Sequence, residues 1–368
     1  MKIQDVKIYV IQRELRDAGG ADMKRDGVST KSKMGEIPVL NIITDEGLEG
    51  TSFGRDGLMA AQYLDSVKSM LIGEDPHYVE RIWQKLWSMN RVMHLPDTVL
   101  GVVDIAIWDI LGKSTGLPIY KLLGAYRDKV KVYATCLHYT DKTSYVELAL
   151  ELKEKGFKGF KPHISGDPDF DIDVCRAIRE AVGDEMVLML DPVGLYDREQ
   201  ALRVGRELEK LNFTWFEEPI QDTDMIGLKK LCDTLDIPVA ALEVLPGSLY
   251  TKAQYITQGA VDIIRSDTLY NGGITPLKKA ASLAEAFGMR CEIHCNPNAL
   301  ANAANLHVTC SIKNCEFYEW MVPAHLWDFG LRESIQLDAD GYAHVPQKPG
   351  LGLEVDWDFI KSQTVATL

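Results

Sequence analysis

The chain has 368 residues, an apolar fraction of 46% and a formal charge of −14. That length holds a barrel domain plus a smaller companion, and no apolar run is long enough to span a membrane. The acidic balance argues against nucleic acid as a partner, because phosphate backbones are met by lysine and arginine.

Residues 1–125 read as an α+β domain. Two alternating runs, at 2–11 and 37–45, predict strands and flank a polar stretch from Asp17 to Lys33 read as a mobile loop. The first of them (Ile3, Val6, Ile8, Val10) lacks the apolar core of a signal peptide. Gly50 to Gly57 reads as a second glycine-rich loop. Helical periodicity follows through Trp83, Leu86 and Trp87, then from Val99 to Leu111, and Pro118 and Gly124 mark the exit.

Residues 126–330 alternate short apolar runs with amphipathic helices. The predicted strands are 130–136, 157–163, 186–191, 213–217, 238–243, 261–267, 289–294 and 315–319. Eight strands alternating with helices imply a parallel sheet closed into a barrel, with function at the C-terminal strand ends. Residues 331–368 are turn-rich and are expected to pack back on the N-terminal domain. The seven cysteines are odd in number and fit no zinc spacing, so reduced thiols in a cytoplasmic protein are expected.

Three strand ends carry acids: Asp191, Glu217 and Glu243. The gaps from Asp191 to Glu217 and from Glu217 to Glu243 are each 26 residues, one strand–helix unit. Carboxylates converging on one rim cannot all ionise without a cation, and hard oxygen ligands suit Mg²⁺ or Mn²⁺. Lys161 and His163 share a strand face on one side. Asp267 and His294 end neighbouring strands on the other, where a hydrogen bond between them would fix the histidine tautomer. Glu319 ends the eighth strand. Lys24, Arg25, Arg55, Arg91 and His94 in the N-terminal domain, with His138 beyond the first barrel strand, are candidate substrate contacts.

A single carboxylate at a strand end is more often a helix cap, and single loop cations are about as often merely solvated. Equal spacing and flanking bases favour a site. Glu218 reads as a support or ion-pair partner, and His307, His77, His325 and His344 as structural or surface residues. Trp83 and Trp87 read as core.

The chain resembles the enolase superfamily, in its mandelate racemase-like subgroup. The resemblance covers essentially the whole length. It rests on Leu100–Ile110 with Gly116–Gly124, on Trp215-Phe216-Glu217-Glu218-Pro219, on Asp267 followed by Gly272-Gly273-Ile274-Thr275, and on His294. It implies a modified TIM (β/α)7β barrel with an α+β capping domain, and loops 17–33 and 50–57 closing over substrate. It implies Mg²⁺ on Asp191, Glu217 and Glu243, the His294–Asp267 dyad as acid/base, and Glu319 hydrogen-bonded to the substrate carboxylate or enediolate. A homo-oligomer is implied too. Two positions depart from the family pattern. Lys161-Pro162-His163 stands for Lys-x-Lys, putting His163 at the base position, and Asp191-Pro192-Val193 stands for Asp-x-Asn.

The leading expectation is removal of the proton α to a carboxylate, followed by loss of the β-hydroxyl from an aldonate or aldarate. The product is a 2-keto-3-deoxy acid. Either Lys161 or His163 is a base candidate. Racemisation or epimerisation is the alternative, with lactone cycloisomerisation third. A Schiff-base aldolase using Lys161 and a non-catalytic binding barrel are the readings outside this chemistry.

Overall fold

The computed structural model describes residues 1–14, 24–25, 28–29, 34–55, 57–295 and 298–368. Most of the stretch from Asp17 to Lys33 lies outside these residues, as do the side chains of Lys24 and Arg25.

The N-terminal elements are β1 (Ile3–Glu14), β2 (Lys24–Arg25), β3 (Val28–Ser29), β4 (Met34–Thr44), β5 (Glu49–Phe53), α1 (Gly57–Leu71), α2 (Val79–Met93), α3 (Asp97–Thr115) and α4 (Ile119–Leu122). The barrel region alternates β6 (Lys129–Cys136), α5 (Lys142–Glu154), β7 (Gly159–Lys161), α6 (Pro168–Val182), β8 (Val187–Leu190) and α7 (Arg198–Lys210). It continues with β9 (Trp215–Glu217), α8 (Met225–Thr234), β10 (Val239–Ala241), α9 (Ser248–Gln258), β11 (Ile263–Ser266) and α10 (Ile274–Ala286). It ends with β12 (Arg290–Ile293), α11 (Ala299–Ser311) and β13 (Phe317–Val322), followed by β14 (Gln336–Leu337), β15 (Tyr342–His344), α12 (Trp357–Gln363) and β16 (Thr364–Thr367).

The capping sheet runs β16-β1-β4-β5, all antiparallel. Residues 50–53 correct the expected loop: they are strand, paired with β4 from Val39↔Phe53 to Ile42↔Gly50. Thr51, Ser52 and Phe53 suit a half-buried pleat. Gly50 serves close approach, since a Cβ there would lie 2.0 Å from the Ala106 carbonyl oxygen of α3. Only Gly54, Arg55 and the start of α1 remain of the loop, with Asp56 outside the described residues. The C-terminal tail divides its pairing: β16 joins β1 of the cap, and β15 lies antiparallel on β6 of the barrel.

All eight predicted barrel strands form. β6 through β12 pair in parallel in sequence order, and β13 pairs in parallel with β6. Their inward residues Tyr133, Met189, Trp215, Ala240, Ile263 and Phe317 make a separate inner core. Their neighbours along each strand pack outward against helices, which is why the strands read as unbroken apolar runs. The helices start where the sequence caps them. Asp197 and Gln200 form a capping box at α7, which buries Ala201, Val204 and Leu208. Removing the Asp197 carboxylate costs about 1 kcal/mol.

Helix α3 joins cap to barrel. A Cβ on Gly101 would lie 2.5 Å from the Leu269 carbonyl oxygen, so backbone meets backbone there. Asp104 accepts from Thr275 N (2.9 Å) and Thr275 Oγ1 (2.7 Å) at the start of α10. Asp109 accepts from Thr51 N of the cap sheet and Leu351 N of the tail. Among the described residues no helix is long and apolar enough to cross a membrane.

Candidate active site

Asp191, Glu217 and Glu243 converge at the C-terminal ends of β8, β9 and β10. All three are buried, and one oxygen from each lies within 4.8 Å of the others. Burial pushes the Glu243 carboxyl up to about 7, against the opposing pull of His294. Among the described residues its Oε2 has no hydrogen-bond partner, and Arg265 Nη2 at 3.6 Å is too distant to supply one. An orphaned buried oxygen among hard donors is the setting in which a divalent cation stabilises, so these residues fit Mg²⁺.

Two buried cations flank the triad. Lys161 Nζ lies 2.5 Å from Glu217, 3.2 Å from Asp191 and 2.9 Å from Glu319. Burial opposes its charge, but the Glu217 and Glu319 carboxylates outweigh that and raise its pKa well above normal. Arg265, on the same face of β11 as Asp267, reaches Glu217 at 2.9 Å and Glu319 at 2.7 Å. Sequence reasoning missed it as a site residue. The signal was an arginine in an apolar strand, in phase with Asp267. Glu319 spends Oε1 on Lys161 and Oε2 on Arg265 and the Cys295 N–H (2.9 Å). Despite burial, those two cations hold it well below the usual carboxylate range, so it is an acceptor here. Trp215 Nε1 donates to Glu217 Oε2 (2.8 Å) from the same strand face.

The two histidines face the triad from opposite sides. His163 Nε2 lies 3.1 Å from Asp191 Oδ2, and its Nδ1 lies 2.6 Å from the Cys136 carbonyl oxygen. A carbonyl only accepts, so Nδ1 carries a proton. Burial lowers the pKa of this imidazole, but the Asp191 charge and hydrogen bond reverse the direction and raise it. His294 Nδ1 lies 2.7 Å from Asp267 Oδ2, and its Nε2 lies 3.7 Å from Glu243 Oε1. Burial again opposes the charge, yet Glu243 and the Asp267 hydrogen bond raise this imidazole to about 9. Asp267 is itself held, its Oδ1 accepting from Tyr270 N and its own N–H donating to Asn271 Oδ1.

A cleft of about 470 Å³ lies between cap and barrel, lined by Arg55, Asn90, His94, Asp97, Gly247 and Tyr270 among others. The Tyr270 ring stacks on His294 (5.4 Å, 22°), and the Arg55 guanidinium sits 4.7 Å over Tyr270. Arg55 and His94, two of the candidate substrate contacts, thus line this cleft. Arg91 is exposed and does not line this cleft, being one helical step of about 100° around α2 from Asn90. The side chain of Arg25 lies outside the described residues. His138 is half-buried with its ring 5.8 Å from His163, and burial depresses it to about 4. Of the remaining histidines, His307 is a buried link between Tyr120 N (3.2 Å) and the Leu351 carbonyl (3.1 Å). Glu218 makes no ion pair among the described residues; it accepts from the Glu243 N–H at 3.2 Å.

Residues 144–359 match the enolase C-terminal domain-like family, and residues 23–124 match the mandelate racemase / muconate lactonizing enzyme N-terminal domain. The chain therefore belongs to the enolase superfamily, within the mandelate racemase / muconate lactonizing enzyme group. Arabinonate dehydratase of Saccharolobus solfataricus is 32% identical over 371 residues, covering 96% of each chain. L-talarate/galactarate dehydratase of Salmonella typhimurium is 33% identical over 86% of this chain and 79% of its own. The structure of D-glucarate dehydratase from Agrobacterium tumefaciens, complexed with magnesium, matches with a TM-score of 0.88 and 38% identity over the whole of both chains.

Proposed function

We propose that this chain is a Mg²⁺-dependent dehydratase of an acid sugar, an aldonate or aldarate, forming a 2-keto-3-deoxy acid. The observation that carries the reading is the pair of imidazoles set differently on two sides of the carboxylate triad. The dehydratase relatives add support.

Held by Asp191, Glu217 and Glu243, Mg²⁺ supplies charge stabilisation to a carboxylate whose α-proton is otherwise too weakly acidic for a side-chain base. His163 donates from Nδ1 to the Cys136 carbonyl, which leaves Nε2 as its basic pole. It takes the α-proton. Lys161 would donate to the substrate carboxylate with an N–H freed from Asp191 or Glu217 once those carboxylates hold the cation; the ionised Glu319, lacking a proton, cannot donate. His294, kept protonated by Asp267, gives its Nε2 proton to the departing β-hydroxyl. The C–H electron pair becomes the C=C bond, the C–O pair leaves with the hydroxyl as water, and the enol tautomerises to the ketone.

The same pair of imidazoles is what a 1,1-proton transfer needs, so racemisation or epimerisation is the second reading. Proton NMR in D₂O with Mg²⁺ and a panel of sugar acids separates them. New 3-deoxy methylene signals support dehydration. Loss of the α-proton signal alone, or an epimer, replaces it with proton transfer.

A further inference from the structure

Along a strand, alternate residues share a face. In β8 and β9 the inner-core residues Met189 and Trp215 are each two positions before the acid, so alternation alone turns Asp191 and Glu217 inward. β10 breaks the pattern. Ala240 belongs to the inner core, while Val239 and Ala241 pack outward. Strict alternation would send Leu242 inward and Glu243 away from the site. Instead Leu242 packs in the outer core at φ +91°, and Glu243 enters the triad. The left-handed backbone is unfavourable for a residue with a Cβ, so something must hold Leu242 there.

Three side chains grip the two peptides around it. Asp222 Oδ1 accepts from Leu242 N at 3.1 Å, and Glu218 Oε1 accepts from Glu243 N at 3.2 Å. Lys252 Nζ, on α9, donates to the Leu242 carbonyl at 2.6 Å. Lys252 is 1% exposed and, among the described residues, makes no ion pair. Burying an ammonium is costly, and here its hydrogen bond goes to the carbonyl one residue before a metal-ligand candidate. We propose that Lys252 is a positioning residue for the metal site, holding Leu242 in the left-handed turn that swings Glu243 into the barrel.

The proposal rests on the reading that the triad binds a divalent cation, so wild-type binding is the control. Mg²⁺ affinity is measured by isothermal titration calorimetry on the full chain, without turnover. Lys252→Met is expected to weaken Mg²⁺ binding by about 10–100-fold, the usual loss for a group that orients a ligand. Glycine accepts positive φ without the Cβ penalty. Adding Leu242→Gly to Lys252→Met is therefore expected to recover most of the loss, and Lys252→Arg to bind closer to wild type than Lys252→Met. Unchanged affinity in Lys252→Met overturns the proposal. So does a loss that Leu242→Gly fails to recover, which a merely structural lysine would give. If Lys252→Met does not fold, Leu242→Gly is compared with the double variant: similar affinities support the proposal, and a weaker double variant overturns it. A wild-type chain that binds no Mg²⁺ overturns the metal reading itself, and this proposal with it.

Discussion

His163 and His294 look alike in sequence, each ending a barrel strand, and differ in what holds the far nitrogen. His163 turns Nδ1 to a neutral peptide carbonyl, and its charge is favoured by Asp191, one of the triad. His294 turns Nδ1 to Asp267, a carboxylate outside the triad. A cation on the triad offsets Asp191 and Glu243 alike, but it leaves Asp267 in place. The Asp191 charge that raises His163 would then be shared with the cation, while His294 would retain a partner that favours its protonated form. Two residues of one type are thereby biased toward opposite roles by a single second contact.

Replacing each ring is the most severe way to break this comparison. His294→Asn is expected to lower dehydration by about 10³-fold or more, within the usual range for acid–base groups. It should still exchange the substrate α-proton with D₂O, because His163 is untouched. His163→Asn is expected to lose both exchange and dehydration, by about 10²–10³-fold. Proton NMR reads both quantities. Exchange surviving in His163→Asn and vanishing in His294→Asn would reverse the assigned roles.

Stability against pH tests the same contrast without substrate. The folded-state pKa of His294, about 9, lies above its ordinary value of 6.5. Protonated His294 therefore stabilises the fold fully below about pH 6.5, and that contribution is lost as the pH rises through 9. In EDTA, the melting temperature of wild type should fall toward that of His294→Asn between pH 7 and pH 10. Parallel curves for the two proteins across that range would remove the case for a protonated His294.

A smaller effect is expected at Tyr270, whose ring stacks on His294 and carries Arg55 on its other contact. Tyr270→Leu keeps an apolar residue but removes both ring contacts. Stacking and cation–π contacts of this kind contribute about 1 kcal/mol each, so kcat/KM should fall by at most about thirtyfold. A loss as large as that of His294→Asn would place Tyr270 in the chemistry itself.

The barrel and most of this site were legible because period-two alternation and the 26-residue spacing put seven of the catalytic and metal candidates at strand ends: Lys161, His163, Asp191, Glu217, Asp267, His294 and Glu319. Glu243 was found by spacing too, but for a reason that alternation hides, since Leu242 breaks the strand phase. A left-handed leucine has no sequence signature; glycine would have announced it. Arg265 and Lys252 were missed because a charged residue in an apolar strand or helix does not reveal which buried oxygen it meets. Gly50 misled in the other direction. It reads as part of a glycine-rich loop and is instead strand, where a Cβ would lie 2.0 Å from the Ala106 carbonyl oxygen of α3. Arg91 lies outside the cleft lining because a one-residue offset on a helix turns a side chain to another face.

The mildest perturbation is Thr135→Val beneath His163. Thr135 Oγ1 lies 3.2 Å from His163 Nδ1 and donates to the Lys161 carbonyl at 3.1 Å. Its one proton is thus committed, and it offers the imidazole only a lone pair. The Cys136 carbonyl already accepts from the same nitrogen at the shorter distance of 2.6 Å. Removing the hydroxyl while keeping the side-chain shape therefore costs about one neutral hydrogen bond, 0.5–1.5 kcal/mol, or roughly two- to tenfold. The α-proton exchange rate should drop by about that factor, and the ratio of dehydration to exchange, which reports His294, should not move. If Thr135→Val abolished exchange as completely as His163→Asn, the hydroxyl and not the peptide carbonyl would set the tautomer of His163, and the contrast between a carbonyl-held base and a carboxylate-held acid would have to be redrawn.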